Sequence, residues 1–226
     1  LDFSQIEAGR IQASYEPVDL ARYTAELTSV FRTAIEQAGL RLVVSCPPLS
    51  EPVYVDRDMW EKIVLNLLSN AFKFTLAGEI EVSLTAENNH ALLTVRDTGV
   101  GIPTAEIPKI FDRFHRVRES RGRSYEGTGI GLALVQELVR HHGGTVRAAS
   151  VVNEGTEFVV SIPFGTEHLD PQRVAPETAM QRSTTGAEAF VQEALRWLPE
   201  GALEEVAERP FHLDPIALLE PIPQWD

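Results

Sequence analysis

Asn66, Asn70 and Lys73 lie in NLLSNAFKFT at helical spacing, although asparagine forms helices poorly because its amide competes for nearby backbone groups. At 100° per residue the three fall within an arc of roughly 60°, a polar stripe on one face. Ile63, Leu67, Ala71 and Phe74 make a separate apolar stripe suited to a core. Side-chain carbonyl oxygens are hard ligands that suit Mg²⁺, and a lysine can meet a phosphate as a point charge. A single asparagine would read as solvent-facing. A stripe of this kind beside two glycine-rich loops reads as a site.

The first loop, DTGVGIP, places Asp97 at the end of a strand, followed by Gly99 and Gly101. A strand-end carboxylate in a buried pocket accepts a hydrogen bond from an exocyclic amine, and glycines let ligand and backbone approach closely. Taken alone, this stretch also fits a tight turn whose Asp caps its own backbone. The second loop, EGTGIGLALV, carries Gly127, Thr128, Gly129 and Gly131 into a helix start. Free N–H groups and the positive end of the helix dipole favour phosphate there. The polar RESRGRSYE upstream excludes the hydrophobic strand that a dinucleotide-binding loop requires, and no Gly-Lys-Ser/Thr follows to make a Walker loop.

The elements that must position these residues are legible in outline. One helix is expected from Asp19, through Leu20, Tyr23, Leu27, Val30, Phe31, Ala34 and Ile35, to Gly39. LRLVVSC and PVYVD read as strands, EIEVSLTAEN and HALLTVRD alternate as half-buried antiparallel strands, and an NEG turn joins a closing hairpin. The expected fold is α/β, a two-layer sandwich of helices on a mixed, mostly antiparallel sheet.

The 226 residues include one cysteine, Cys46, which fits a reducing compartment, and no apolar run approaches the roughly 20 residues of a membrane span. A net charge of −13 argues against general nucleic-acid binding. Arg113, Arg116, Arg118, Arg121 and Arg123 cluster in one segment that suits a small anion. Residues 167–226 hold twelve acids against four arginines, −8 of the −13, and seven of the fourteen prolines. They read as an acidic tail whose amphipathic stretch, Phe190 to Leu198, is expected to pack as a helix.

In this order the pieces resemble the ATP-binding catalytic domain of sensor histidine kinases, within the superfamily of gyrase, the ninety-kilodalton chaperones and the mismatch-repair ATPases. NLLSNAFKFT resembles its N box, DTGVGIP and EGTGIGLALV its two glycine boxes, and IFDRFHR its F box. The resemblance covers residues 17–165 and implies a Bergerat-type fold. LDFSQIEAGR, within residues 1–16, resembles the end of the family's dimerisation helices, and residues 166–226 form the tail.

By position, the resemblance implies that Asn70 coordinates Mg²⁺ with Asn66 beside it, and that Lys73 meets phosphate. Asp97 takes the adenine amine of ATP, with Gly99, Gly101 and Thr156 around it. Arg116 faces the γ-phosphate; Gly127, Thr128, Gly129 and Gly131 fold over the phosphates. Phe111 and Phe114 anchor a lid between Phe114 and Gly127. Asn66 stands where the superfamily's ATPases have a water-activating Glu, and an amide accepts no proton near neutral pH. The expectation is therefore a cytoplasmic histidine kinase, homodimeric in full length. Its phosphate acceptor is a histidine on an upstream helix of its own or the partner chain, and its downstream partner a response regulator or receiver domain. The six histidines of this chain suit surface or packing roles. A superfamily ATPase or serine kinase and a non-catalytic nucleotide-binding module are the alternatives.

Overall fold

The computed structural model describes residues 13–117, 122–123 and 128–175, together with Phe190, Gln192 and Leu195. A five-stranded sheet has the order β2 (Arg41–Ser45), β4 (Glu79–Glu87), β5 (His90–Asp97), β7 (Gly155–Pro163) and β6 (Thr145–Val151). Only β2 and β4 run parallel; the other pairs are antiparallel, as the alternating sequence patterns require. Ile80, Val82, Leu84, Ala91, Leu93, Val95, Val160 and Ile162 are buried on the sheet's inner face. Against them lie helices α1 (Leu20–Val30), α2 (Arg32–Gln37), α3 (Arg57–Phe74) and α4 (Gly131–His141). This is the expected α/β two-layer sandwich.

Helix α3 forms the spine. Asp56 caps it by accepting from the Met59 N–H at 3.0 Å, and Asp58 and Lys73 complement the dipole at its two ends. Trp60 is fully buried, and its Nε1–H donates to Thr24 Oγ1 at 3.1 Å, which joins α3 to α1 without orphaning the indole donor.

Three local features depart from the sequence pattern. The helix expected from Asp19 to Gly39 is broken at Phe31, giving α1 and α2. The Thr28 and Ser29 hydroxyls donate back to the Thr24 and Glu26 carbonyls, and the Phe31 N–H turns to the Thr28 carbonyl at 3.1 Å. Such side-chain back-bonding bends a helix, and the break lets Phe31 bury completely. The described residues leading to Pro17, which the sequence pattern does not mark as an element, end in strand β1 (Glu16–Val18), paired antiparallel with β3 (Val53–Val55). Packing also runs beyond residue 165: Leu169 is buried, and Tyr15 bridges Val174 in parallel. LDFSQIEAGR and most of the tail lie outside the described residues, but Phe190 and Leu195 are half-buried against the core.

Candidate nucleotide site

The asparagine stripe of α3 flanks the buried face of that helix, with Asn66 and Asn70 half-buried and Lys73 only 8% exposed. Asn66 Nδ2 donates to the Lys62 carbonyl at 2.7 Å, within the same helix. Its Oδ1 lies where a Cβ on Gly131 would be 2.8 Å away, so α3 and the first residue of α4 meet at these two positions. That contact explains Gly131 by close approach. Lys73 Nζ stands 5.5 Å from the centroid of the Phe74 ring.

Where α3 ends, its free carbonyls organise both loops. The Phe74 carbonyl accepts from the Val100 N–H at 3.1 Å, tying the first glycine loop to the asparagine helix. The Lys73 carbonyl accepts from the Arg123 N–H at 2.8 Å. The Arg123 guanidinium donates to the carbonyls of Phe72, Thr75 and Leu76 at 2.9–3.2 Å and lies over the Phe72 ring at 5.1 Å. A cation at a helix C-terminus is favoured by the dipole. Arg123 therefore departs from the anion-facing role expected of the arginine cluster. Arg113 and Arg116 are exposed, and Arg118 and Arg121 lie outside the described residues.

Asp97 ends β5 and is buried at 6% exposure. Its Oδ1 accepts from the Gly99 N–H at 2.8 Å, and the carboxyl also takes the Thr156 N–H. The buried Thr75 hydroxyl is 2.7 Å from the Ala71 carbonyl and also within reach of the Asp97 carboxyl, so its single proton serves one of them at a time. Loss of solvent dominates, and the carboxyl is pushed up from 3.8 to about 6. Thr156 is its cross-strand neighbour in β7 and is likewise buried. Gly101, at φ +69°, lets the loop turn against Val151.

The F box meets the second glycine loop through backbone. The Phe114 N–H donates to the Gly129 carbonyl at 2.9 Å, and a Cβ on Gly129 would lie 2.9 Å from Phe114. Phe111 is half-buried and edge-on to Phe158 at 6.4 Å. Phe114 differs, for its ring is 70% exposed and only its backbone holds the loop. Helix α4 begins after Ile130 without a side-chain cap, leaving its first N–H groups for another acceptor. Thr128 is exposed, and Gly127 lies outside the described residues. His142 is fully buried, donating from Nδ1 to the Leu138 carbonyl and accepting from the Asp56 N–H, a packing role as expected.

The arrangement brings Asp97, Gly99, Gly101 and Thr156 together at one end of the sheet, and Asn66 together with Gly131 at the helix crossing. Arg123, Thr75 and Ser150 are contributors that the sequence does not single out. Ser150 carried only the signal of alternation in β6, and its partners depend on strand register. Among the described residues no group of three His, Cys, Asp or Glu side chains could hold a metal, and no helix is long and apolar enough to cross a membrane. A divalent ion here would take an amide oxygen plus oxygens from water and phosphate, a set that fits Mg²⁺ and the half-buried Asn70.

Residues 55–166 match the family described as histidine kinase-, DNA gyrase B-, and HSP90-like ATPase. The sensor histidine kinase TmoS of Ectopseudomonas mendocina is 38% identical over 169 residues, 73% of this chain and 17% of its own length. Among solved structures, the mycobacterial sensor histidine kinase MprB shares 30% identity at a TM-score of 0.57, covering 66% of this chain and 97% of that one. Full-length ShkA in complex with AMPPNP shares 28% identity at a TM-score of 0.64, covering 73% of this chain and 34% of that one. The chain spans less than a third of the length of the curated relatives it matches.

Proposed function

Because the chain belongs to the histidine kinase-, DNA gyrase B-, and HSP90-like ATPase family, we propose that it is the ATP-binding catalytic part of a cytoplasmic two-component sensor histidine kinase. The observation that carries this reading is Asp97, a buried, desolvated acceptor at a strand end, opening beside a glycine loop that is hydrogen-bonded to the asparagine helix. A carboxylate keeps lone pairs beyond these bonds, and an adenine amine is a donor that suits one of them. The ShkA relative, solved with AMPPNP, supports a nucleoside triphosphate as the ligand.

In the transfer, an imidazole nitrogen of the acceptor histidine forms the bond to the γ-phosphorus while the bond to the ADP oxygen breaks. That histidine belongs to an upstream dimerisation helix in the full-length homodimer, and a response regulator or receiver domain takes the phosphoryl group next. Asn70 is the residue that would hold Mg²⁺, which when bound would supply positive charge to the phosphate oxygens. Lys73 leaves the Phe74 ring to meet a phosphate oxygen, and the exposed Arg116 faces the γ-phosphate. The uncapped α4 start, with Thr128, Gly129 and Gly131, offers N–H groups to the phosphates. Asn66 favours transfer over hydrolysis, because its amide, which donates to the Lys62 carbonyl, takes no proton from water.

The test supplies the acceptor helix in trans with labelled ATP. Label on histidine that is acid-labile and base-stable is expected, and it is lost in Asp97→Asn and Asn70→Ala. Normal labelling in both variants removes the site assignment. Rapid ATP turnover with no acceptor present returns the chain to the ATPases, and tight ATP binding with no transfer makes it a binding module.

A further inference from the structure

Asp97, Thr156 and Ser150 lie side by side across three strands: Asp97 pairs with Thr156 between β5 and β7, and Thr156 pairs with Ser150 between β7 and β6. Directly paired residues present their side chains on the same face, so the carboxyl and two hydroxyls form one row at the end of the sheet. Ser150 Oγ has three partners at close range. It is 2.7 Å from the Gly155 carbonyl, 2.7 Å from the Ile102 N–H and 3.0 Å from Thr156 Oγ1.

Proton counting fixes the direction of every bond in this set. A serine hydroxyl has one proton and two lone pairs. The Gly155 carbonyl can only accept, so the serine proton goes there. The Ile102 N–H can only donate, so it occupies one lone pair. The remaining contact must then run from Thr156 to the second lone pair of Ser150. Thr156 has thus given away its only proton, and its hydroxyl can act toward a ligand only as an acceptor.

We infer that Ser150 is a specificity-determining positioning residue, which holds the Thr156 hydroxyl as an acceptor beside Asp97 and so makes the base pocket select an amine over a carbonyl. This rests on the nucleotide reading above and deepens it. An adenine presents an amine where a guanine presents a carbonyl oxygen, and a row of acceptors attracts the first and repels the second. A threonine freed from Ser150 could turn its proton toward a guanine oxygen, or toward Asp97, and the discrimination would weaken. Leaving a polar group of a ligand facing a like group is the kind of mismatch that specific sites use to reject analogues.

The same serine also holds the first glycine loop through Ile102, so the test must separate selection from support. Dissociation constants for Mg·ATP and Mg·GTP are measured on the whole chain by displacement of a fluorescent ATP, for wild type, Ser150→Ala, Ser150→Thr, Thr156→Val and the Ser150→Ala/Thr156→Val double variant. The wild type is expected to prefer ATP. Ser150→Ala lowers the ATP:GTP preference by roughly tenfold, and Ser150→Thr, which keeps the hydroxyl, restores it. In the Thr156→Val background Ser150→Ala changes affinity for both nucleotides together and leaves the ratio where it was. An unchanged ratio in Ser150→Ala with ATP still bound overturns this inference alone, as does an equal change of ratio in the Thr156→Val background. A wild-type chain that binds neither nucleotide overturns the nucleotide reading and this inference with it.

Discussion

Burial lifts the Asp97 carboxyl from its ordinary 3.8 to about 6, against hydrogen bonds from Gly99, Thr156 and Thr75 that pull the other way. An acid whose folded value is raised disfavours its own charge in the fold, so the cost is absent below the unfolded value and complete above the folded one. The gap between 3.8 and about 6 corresponds to about 3 kcal/mol, present at neutral pH and removed by acid. Asp97→Asn should remove most of this at pH 7.5, less about 1 kcal/mol where the amide nitrogen meets a backbone N–H. The ligand-free variant should therefore melt a few degrees above wild type at pH 7.5 and lose that advantage at pH 4, as thermal unfolding at both pH values would show. The binding counterpart has the opposite sign. ATP affinity of the wild type should fall roughly tenfold between pH 7 and pH 5 as the carboxyl takes up its proton. A variant no more stable than wild type at pH 7.5 would mean that the carboxylate is well solvated.

At the scale of elements, the site depends on how closely α3 and α4 cross. A methyl group on Gly131 would meet the far end of a flexible side chain, the Asn66 amide, rather than backbone. Alanine is also favoured over glycine inside a helix by about 1 kcal/mol, and by less at a first position such as Gly131. Gly131→Ala should therefore keep or slightly raise the melting temperature while displacing the Asn66 amide, and nucleotide affinity should fall severalfold. Calorimetric melting and ATP titration on one preparation separate the two effects, and parallel losses of stability and affinity would contradict a movable contact. This crossing also marks how far the sequence could be read. The four boxes were legible because each is local: a helical period with a polar stripe, or glycines set against a strand end or a helix start. Arg123 was not, for nothing local distinguishes it from its arginine neighbours. Its role arises where the chain returns to the end of α3 and finds free carbonyls there. Ser150 was likewise invisible until register set it beside Thr156, and the break at Phe31 came from hydroxyls competing inside an otherwise continuous apolar pattern.

For the whole molecule, the points where the described chain arrives and departs are fastened together beside both helices of the site. The Tyr15 N–H donates to the Arg173 carbonyl at 2.8 Å, and the Ala175 N–H donates to the Tyr15 carbonyl at 2.7 Å. The Tyr15 hydroxyl donates to the His141 carbonyl at 2.6 Å, at the end of α4. The Ser14 N–H donates to Asp56, whose other oxygen caps α3, and the backbone N–H of Asp56 reaches His142. Residues 170–175 thus form a clasp on the incoming strand, and Leu169, just before it, is buried in the core. Cutting the chain after residue 165 removes both Tyr15 backbone bonds and leaves the β1–β3 ribbon with only side-chain and turn contacts to support it, and a two-stranded ribbon is marginal by itself. Hydrogen exchange at residues 15–18 should then rise markedly above that of the full chain, while the central strands β4, β5 and β7 keep their protection. A chain cut after residue 178 retains the clasp and should recover the protection of residues 15–18 even without Phe190 and Leu195. Equal exchange at those residues in the two truncations would show that the clasp holds nothing, and that the contacts with β3, the start of α3 and the end of α4 fix how the chain enters the domain.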